Sequence, residues 1–203
     1  KQARGAFGET QLADLVKTIL APSAYKFQAT LGNGSRVDCL LTLPNPPGAI
    51  GIDAKFPLEA YRALREAKDE AAIAQARRDF STAIKTHVKA IAGKYIVAGE
   101  TAESALMFLP SEAVYAELHA NFPSLAEEAN RARVWIVSPT TLMATLTTIR
   151  AVLRDVNMRE QAHVIQKMVG EMLKDMGRLD ERVTKLQNHF RQATDDIGDI
   201  RTS

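Results

Sequence analysis

The sequence predicts an α/β domain with a mixed sheet flanked by helices, followed by a long C-terminal coiled-coil helix. Three observations predict it. Short apolar runs alternate with stretches of helical periodicity, in the order helix, three strands, helices, strand, helix, strand, helix. The punctuation between them is turn chemistry, above all Asn33-Gly34 and Pro44-Asn45-Pro46-Pro47-Gly48. The last segment carries two heptad series, Ile165, Met172, Leu179, Leu186, Ala193 and Val169, Met176, Val183, Phe190, Ile197, offset from each other by four residues.

Each element has its own warrant. Leu12, Leu15, Val16, Ile19 and Leu20 recur near helical spacing, so residues 7–20 read as an amphipathic helix stopped by Pro22. Glu9 then falls in its first turn, where a carboxylate suits the helix dipole. Residues 25–31 and 36–43 read as strands joined across Asn33-Gly34. The proline cluster ends the second, and residues 49–55 form a third. A helical pattern runs from about residue 58 to 92, with Gly93 as its stop. Residues 104–109 form a strand, 111–121 a helix, and Arg133-Val134-Trp135-Ile136-Val137 a compact strand that buries Trp135. Ser138-Pro139 closes it, with Pro at the first helical position, and a helix resumes at Thr140 and runs almost to the end. The alternatives for the last segment are one amphipathic helix packed on the domain and a projecting coiled coil. A strict 3.5-residue period of this length outlasts what one small domain covers, so residues 156–203 read as a coiled coil beside a core over residues 1–155. Met168, Met172 and Met176 read as packing residues.

Composition narrows the class. With 203 residues and 46% hydrophobic content the chain is long enough for one real core. A formal net charge of +2 is too mild to be the footprint of an obligate nucleic-acid binder, although a local basic patch remains compatible with it. The single cysteine, Cys39, lies in an apolar strand and reads as a core residue, which fits a reducing compartment. No apolar run approaches the roughly 20 residues of a membrane helix, and no signal peptide is visible. The start Lys1-Gln2-Ala3-Arg4, without Met, reads as that of a fragment.

The chemistry centres on Ile50-Gly51-Ile52-Asp53-Ala54-Lys55. Residues i and i+2 of a strand share a face, so Asp53 and Lys55 project together from an apolar strand. The neighbouring strand carries one acid, Asp38, and the preceding helix Glu9. Two or three carboxylates can hold one Mg²⁺ or Mn²⁺ and leave positions for water and phosphate. The ion would activate water, and a lysine beside it would stabilise developing negative charge. The competing reading is a solvated pair at a strand end, since acid-x-Lys triplets arise by chance on the order of once in 200 residues.

Other candidates are weaker. Lys85, His87, Lys89 and Lys94, with Arg77 and Arg78, give either a solvated basic helix face or a phosphate-contacting one. Thr140 and Thr141, after Ser138-Pro139, read as a helix N-terminus whose hydroxyl and N–H groups can receive phosphate. Glycine-rich phosphate loops, Cys/His zinc spacings and serine-nucleophile elbows are absent.

Several stretches resemble the RmuC family of bacterial DNA recombination proteins: Arg4-Gly5-Ala6-Phe7-Gly8-Glu9, the run from Ile52 to Tyr61, His87 through Tyr95, Leu106 to Pro110, and Val137 to Leu146. They span most of the chain in family order. The resemblance implies a restriction-endonuclease-like core of the PD-(D/E)xK type, with the acid at Asp38, Asp-x-Lys at Asp53-Ala54-Lys55 and the helical glutamate at Glu9. The chain departs from the superfamily pattern in having Val37, not proline, before Asp38. It also implies a coiled coil ahead of this domain, often with a membrane-proximal N-terminus, and a role in limiting rearrangement at inverted repeats. The expectation is therefore a cytoplasmic, nucleoid-associated, Mg²⁺- or Mn²⁺-dependent DNA endonuclease acting on branched or hairpin DNA. It would assemble as a homodimer or higher oligomer through its heptads, with no direct membrane contact from this segment. The rivals are a non-catalytic coiled-coil adaptor that binds DNA structures, and an architectural scaffold.

Overall fold

The computed structural model describes residues 2–202, with side chains described for 6–195 and 197. The expected start at Lys1 and the coiled-coil terminus at Ser203 lie outside the described residues. The chain divides into two compact units, residues 1–151 and 152–203, a boundary slightly earlier than the one expected at 155/156.

The first unit is a mixed α/β domain. Its elements are α1 (Gln2–Ile19), β1 (Tyr25–Thr30), β2 (Arg36–Leu41), β3 (Ile50–Ala54), α2 (Leu58–Glu66), α3 (Glu70–Tyr95), β4 (Ala105–Phe108), α4 (Glu112–Asn121), α5 (Pro123–Arg131), β5 (Val134–Val137) and the start of α6 (Pro139–Thr202). A short 3-10 turn at Pro22–Ala24 separates α1 from β1. The five strands lie in the order β1-β2-β3-β4-β5. The first three pair antiparallel, and β3-β4 and β4-β5 pair parallel. This mixture follows from the connections: a tight turn permits only an antiparallel neighbour, whereas a helical crossover returns the chain in parallel. Gly34 takes φ 79° in the β1–β2 turn, a left-handed conformation that glycine adopts without steric cost.

α3 and α5 cover one face of the sheet. Phe80, Ile84, Val88 and Ile91 pack there with Met107, Leu109, Val134 and Leu125. α1 lies against β2 and β3 and buries Leu12 and Val16, while Leu142 and Leu146 bury the first turns of α6. Fully burying one such side chain stabilises by roughly 1.5–3 kcal/mol.

The differences from the sequence reading have local causes. α1 begins well before residue 7, so Glu9 is a mid-helix residue and the dipole argument for it does not apply. The long helix expected over 58–92 is two helices. Ala67 leaves helical geometry with ψ 129°, and Asp69 caps α3 by accepting the Ala72 N–H at 2.8 Å. Gly93 does not stop α3, which runs on to Tyr95; burial of Ile91 and Tyr95 outweighs the ~1 kcal/mol helix penalty of glycine. α5 was missed, although Pro123 stands at its first turn. Trp135 is 49% exposed rather than core: β5 is an edge strand, and Trp135 is its one exposed residue while Val134, Ile136 and Val137 are buried.

The second unit spans residues 152–203, and its described residues belong to the remainder of α6. No helix among the described residues is long and apolar enough to cross a membrane.

Candidate functional site

The site forms where β2 begins beside the end of the antiparallel β3. Asp38 lies on β2 and Asp53 on β3, and Lys55 sits just past β3 with its N–H donating to Phe108 O at 2.9 Å. The Asp38 carboxylate closes the ladder: its Oδ2 accepts the Ala54 N–H at 2.8 Å. The acid of one strand is thereby tied to the middle residue of Asp53-Ala54-Lys55. Asp53 is almost fully buried at 2% exposure. Its Oδ1 accepts the Tyr95 hydroxyl at 2.8 Å, and its Oδ2 is ion-paired with Lys55 Nζ. That ion pair lacks hydrogen-bond geometry, so Oδ2 is one of two buried side-chain oxygens, with Gln11 Oε1, that receive no hydrogen bond among the described residues.

Glu9 arrives from α1. Gly8 lets that helix approach: a Cβ there would stand 3.3 Å from Pro110 Cγ and 3.5 Å from Ala54 Cβ. Gln28, in the left-handed region at φ 51°, joins the two acids, its side-chain amide donating to Glu9 Oε2 at 3.3 Å and to Asp38 Oδ1 at 3.5 Å. A non-glycine residue in that conformation is uncommon and clusters at functional sites.

An open cleft of about 780 Å³ lies over these groups, lined by Glu9, Asp38, Lys55, Glu59, Asp79 and His87 among others. Asp53 is buried and does not line the cleft, whereas its neighbours Ala54 and Lys55 do. Burial raises the Asp38 pKa above the ordinary carboxylate range; the Ala54 hydrogen bond and Lys55 oppose this, and the charges of Asp53 and Glu9 add to it. All four expected residues are therefore electrostatic neighbours. Burial first, then Lys55, lowers the His87 pKa, with Asp53 opposing. His87 is thus a neutral ring at pH 7 and offers hydrogen bonding, not charge, to a phosphate.

The expected basic surface divides. Positions 85 and 87 lie about 200° apart around a helix. Lys85 and Lys89 face a groove beside α5, where Lys85 Nζ pairs with Glu128 at 2.8 Å, whereas His87 lines the cleft. Lys94 is exposed, and its carbonyl accepts the Asn33 amide at 2.9 Å. Arg77 donates to Asn121 O at 2.9 Å and stacks on Phe122, and Arg78 bonds Gln75 on its own helix, so both have structural partners. At the start of α6, Ser138 and Thr141 cap each other's N–H groups, at 2.7 and 3.3 Å, and Glu112 Oε1 accepts the Thr140 N–H at 2.8 Å. A carboxylate already occupies the position a phosphate would take there.

Whether the cleft suits a divalent ion turns on its donors. Among the described residues no group of three or more His, Cys, Asp and Glu side chains stands ready to hold a metal ion. Glu9 reaches Asp38 through Gln28. Mg²⁺, however, is commonly held by one or two carboxylates, keeping several waters and adding substrate phosphate oxygens. Asp38 and the Oδ2 of Asp53, now paired with Lys55, are the carboxylate oxygens that could serve such an ion.

Comparison with known proteins decides the relationship. The profile of the RmuC family matches residues 1–203. The chain belongs to the RmuC family. Its relatives include the DNA recombination protein RmuC homolog of Xylella fastidiosa (strain Temecula1 / ATCC 700964), 28% identical over 209 residues, covering 98% of this chain and 46% of the relative. The Pseudomonas aeruginosa homolog is 28% identical over 191 residues, covering 87% and 42% respectively. The DNA recombination protein RmuC of Salmonella typhimurium is 26% identical over 208 residues, covering 95% and 44%. The chain thus spans less than half the length of these RmuC relatives. No solved structure matches.

Sequence reasoning missed Gln28 and Tyr95 as site residues. Tyr95 closes one of the stretches on which the family resemblance rests, and that was its available signal. Gln28 gives none, because a polar residue at a strand position is ordinary.

Proposed function

We propose that this RmuC family domain is a metal-dependent DNA endonuclease of the PD-(D/E)xK type, acting in DNA recombination. Its substrate would be branched or hairpin DNA, so that its action limits rearrangement at inverted repeats. The observation that carries this reading is the tie between Asp38 Oδ2 and the Ala54 N–H, which sets one acid against the Asp53-Ala54-Lys55 strand end beneath an open cleft. The names of the relatives support the recombination role.

Asp38 and Asp53 would hold Mg²⁺ or Mn²⁺, with Glu9 at one remove. A divalent ion there supplies a water of lowered pKa and neutralises phosphate charge. The remaining work belongs to side chains. Lys55 leaves Asp53 to face the phosphate, stabilising the charge that develops on its oxygens. The wall residues Glu9, Glu59 and Asp79 make the cleft acidic, so DNA enters only when an ion offsets them. The exposed heptads would pair two copies, bringing two sites to a two-stranded substrate. The rival reading, a non-catalytic adaptor, draws on one observation, the lack of a three-ligand group among the described residues.

Incubating the full chain with labelled hairpin DNA and Mn²⁺, with a chelator control, tests the proposal. Cleavage should require Mn²⁺ and vanish in Asp53→Ala while that variant keeps its fold by circular dichroism. Equal cleavage by wild type and variant would remove the reading.

A further inference from the structure

The two oxygens of Asp53 have unlike surroundings, and one residue outside the expected set causes the difference. Tyr95, on the last turn of α3, is 6% exposed. Its hydroxyl stands 2.8 Å from Asp53 Oδ1 and 3.1 Å from Arg36 O, so one proton faces two acceptors. The second acceptor is backbone on β2 and cannot move independently of the sheet, which pins the phenol. Gly51 makes the approach possible: a Cβ there would stand 3.2 Å from Tyr95 Cβ and 3.3 Å from Val37 Cγ2. Oδ2, in contrast, receives no hydrogen bond among the described residues and is ion-paired with the Lys55 ammonium.

We propose that Tyr95 is a positioning residue that commits Asp53 Oδ1 to the protein and leaves Oδ2 as the one oxygen offered to a divalent ion, making Asp53 a monodentate ligand. This rests on the metal-site reading above. A carboxylate with both oxygens free can rotate and chelate bidentately, crowding the few waters and phosphate oxygens that Mg²⁺ needs. Groups that hydrogen-bond a metal-ligating carboxylate fix its orientation, and their loss typically costs 10–100-fold in metal affinity. In the ion-free protein Lys55 neutralises Oδ2, so an ion arriving there displaces a cation rather than entering an uncompensated buried charge.

Mn²⁺ alone, titrated calorimetrically into the full chain, tests this without DNA or turnover. Tyr95→Phe removes only the hydroxyl and should weaken Mn²⁺ binding about 10–100-fold in a protein that still folds, its ion-free unfolding midpoint lowered because the buried Asp53 Oδ1 loses its donor. Gly51→Ala displaces the phenol from its backbone side and should weaken binding in the same direction, which serves if Tyr95→Phe fails to fold. Wild-type affinity in a folded Tyr95→Phe protein would overturn the role of Tyr95 alone. Failure of the wild-type chain to bind Mn²⁺ would overturn the metal-site reading together with it.

Discussion

Phe80 and Phe190 are the same residue on helices of the same chain, and their surroundings are opposite. Phe80, on α3, is 0% exposed and stacks against Phe122 with ring centroids 5.0 Å apart. Phe190, on α6, is 66% exposed, as are its heptad companions Ile165, Met172 and Leu179 at 60, 65 and 62%. The first unit buries most of its large apolar residues, while the second presents them in a strict repeat. Soluble chains rarely leave so large an apolar series uncovered. The contrast teaches that hydrophobic residues fold the first unit, while those of the second stand exposed along one helix, which is what the proposed pairing of two copies would cover.

The largest effect that could break this comparison is on the core. Phe80→Ala should cost about 3–5 kcal/mol, read as a lower unfolding midpoint, whereas Phe190→Ala should leave the midpoint of the α/β unit within about 0.5 kcal/mol of wild type. Equal losses would show that the two regions are not distinct. Next, Leu179→Asp with Leu186→Asp should convert a dimer to monomer in sedimentation while preserving that midpoint; an unchanged sedimentation coefficient would remove the assembly role of the heptads.

The site yields a smaller effect of opposite sign. Asp38 is held above the ordinary carboxylate range chiefly by burial, with the nearby charges of Asp53 and Glu9 adding to it. A carboxyl whose pKa is raised by folding stabilises most below its unfolded pKa of about 4, and that contribution is lost as pH rises through the folded value. Asp38→Asn should therefore raise the unfolding midpoint of the ion-free protein at pH 7 and flatten its dependence above pH 4, while weakening Mn²⁺ binding. The smallest effect sits on the surface. Lys85 and Glu128 are each nearly half exposed, and Lys85→Ala should change stability by no more than about 1 kcal/mol in chemical denaturation.

Much of this was legible in the sequence, for identifiable reasons. The strands were found because apolar runs ended at Asn33-Gly34, at the proline cluster and at Ser138-Pro139, where backbone chemistry leaves few alternatives. The grouping of Asp38, Asp53 and Lys55 followed from strand period. Glu9 was placed on the right helix but in the wrong turn, because nothing before residue 7 repeats with apolar period. The α2–α3 break was illegible, since Ala67-Lys68-Asp69 contains neither Gly nor Pro and the interruption depends on one cap. Trp135 was misread because the position of β5 at the sheet edge is a tertiary fact. The pairing of Tyr95 with Asp53 lay beyond reach for a related reason, although Tyr95 itself closes a stretch shared with the family: residues 95 and 53 meet only once α3 has packed against the sheet.

The most direct test is an anomalous difference map at the manganese edge from crystals of the full chain grown with Mn²⁺. One peak is expected between Asp38 and Asp53 Oδ2, with Tyr95 still bonded to Oδ1 and Lys55 swung away. Clean density at that position in well-diffracting crystals, or manganese bound only at Glu59 and Asp79, would contradict it.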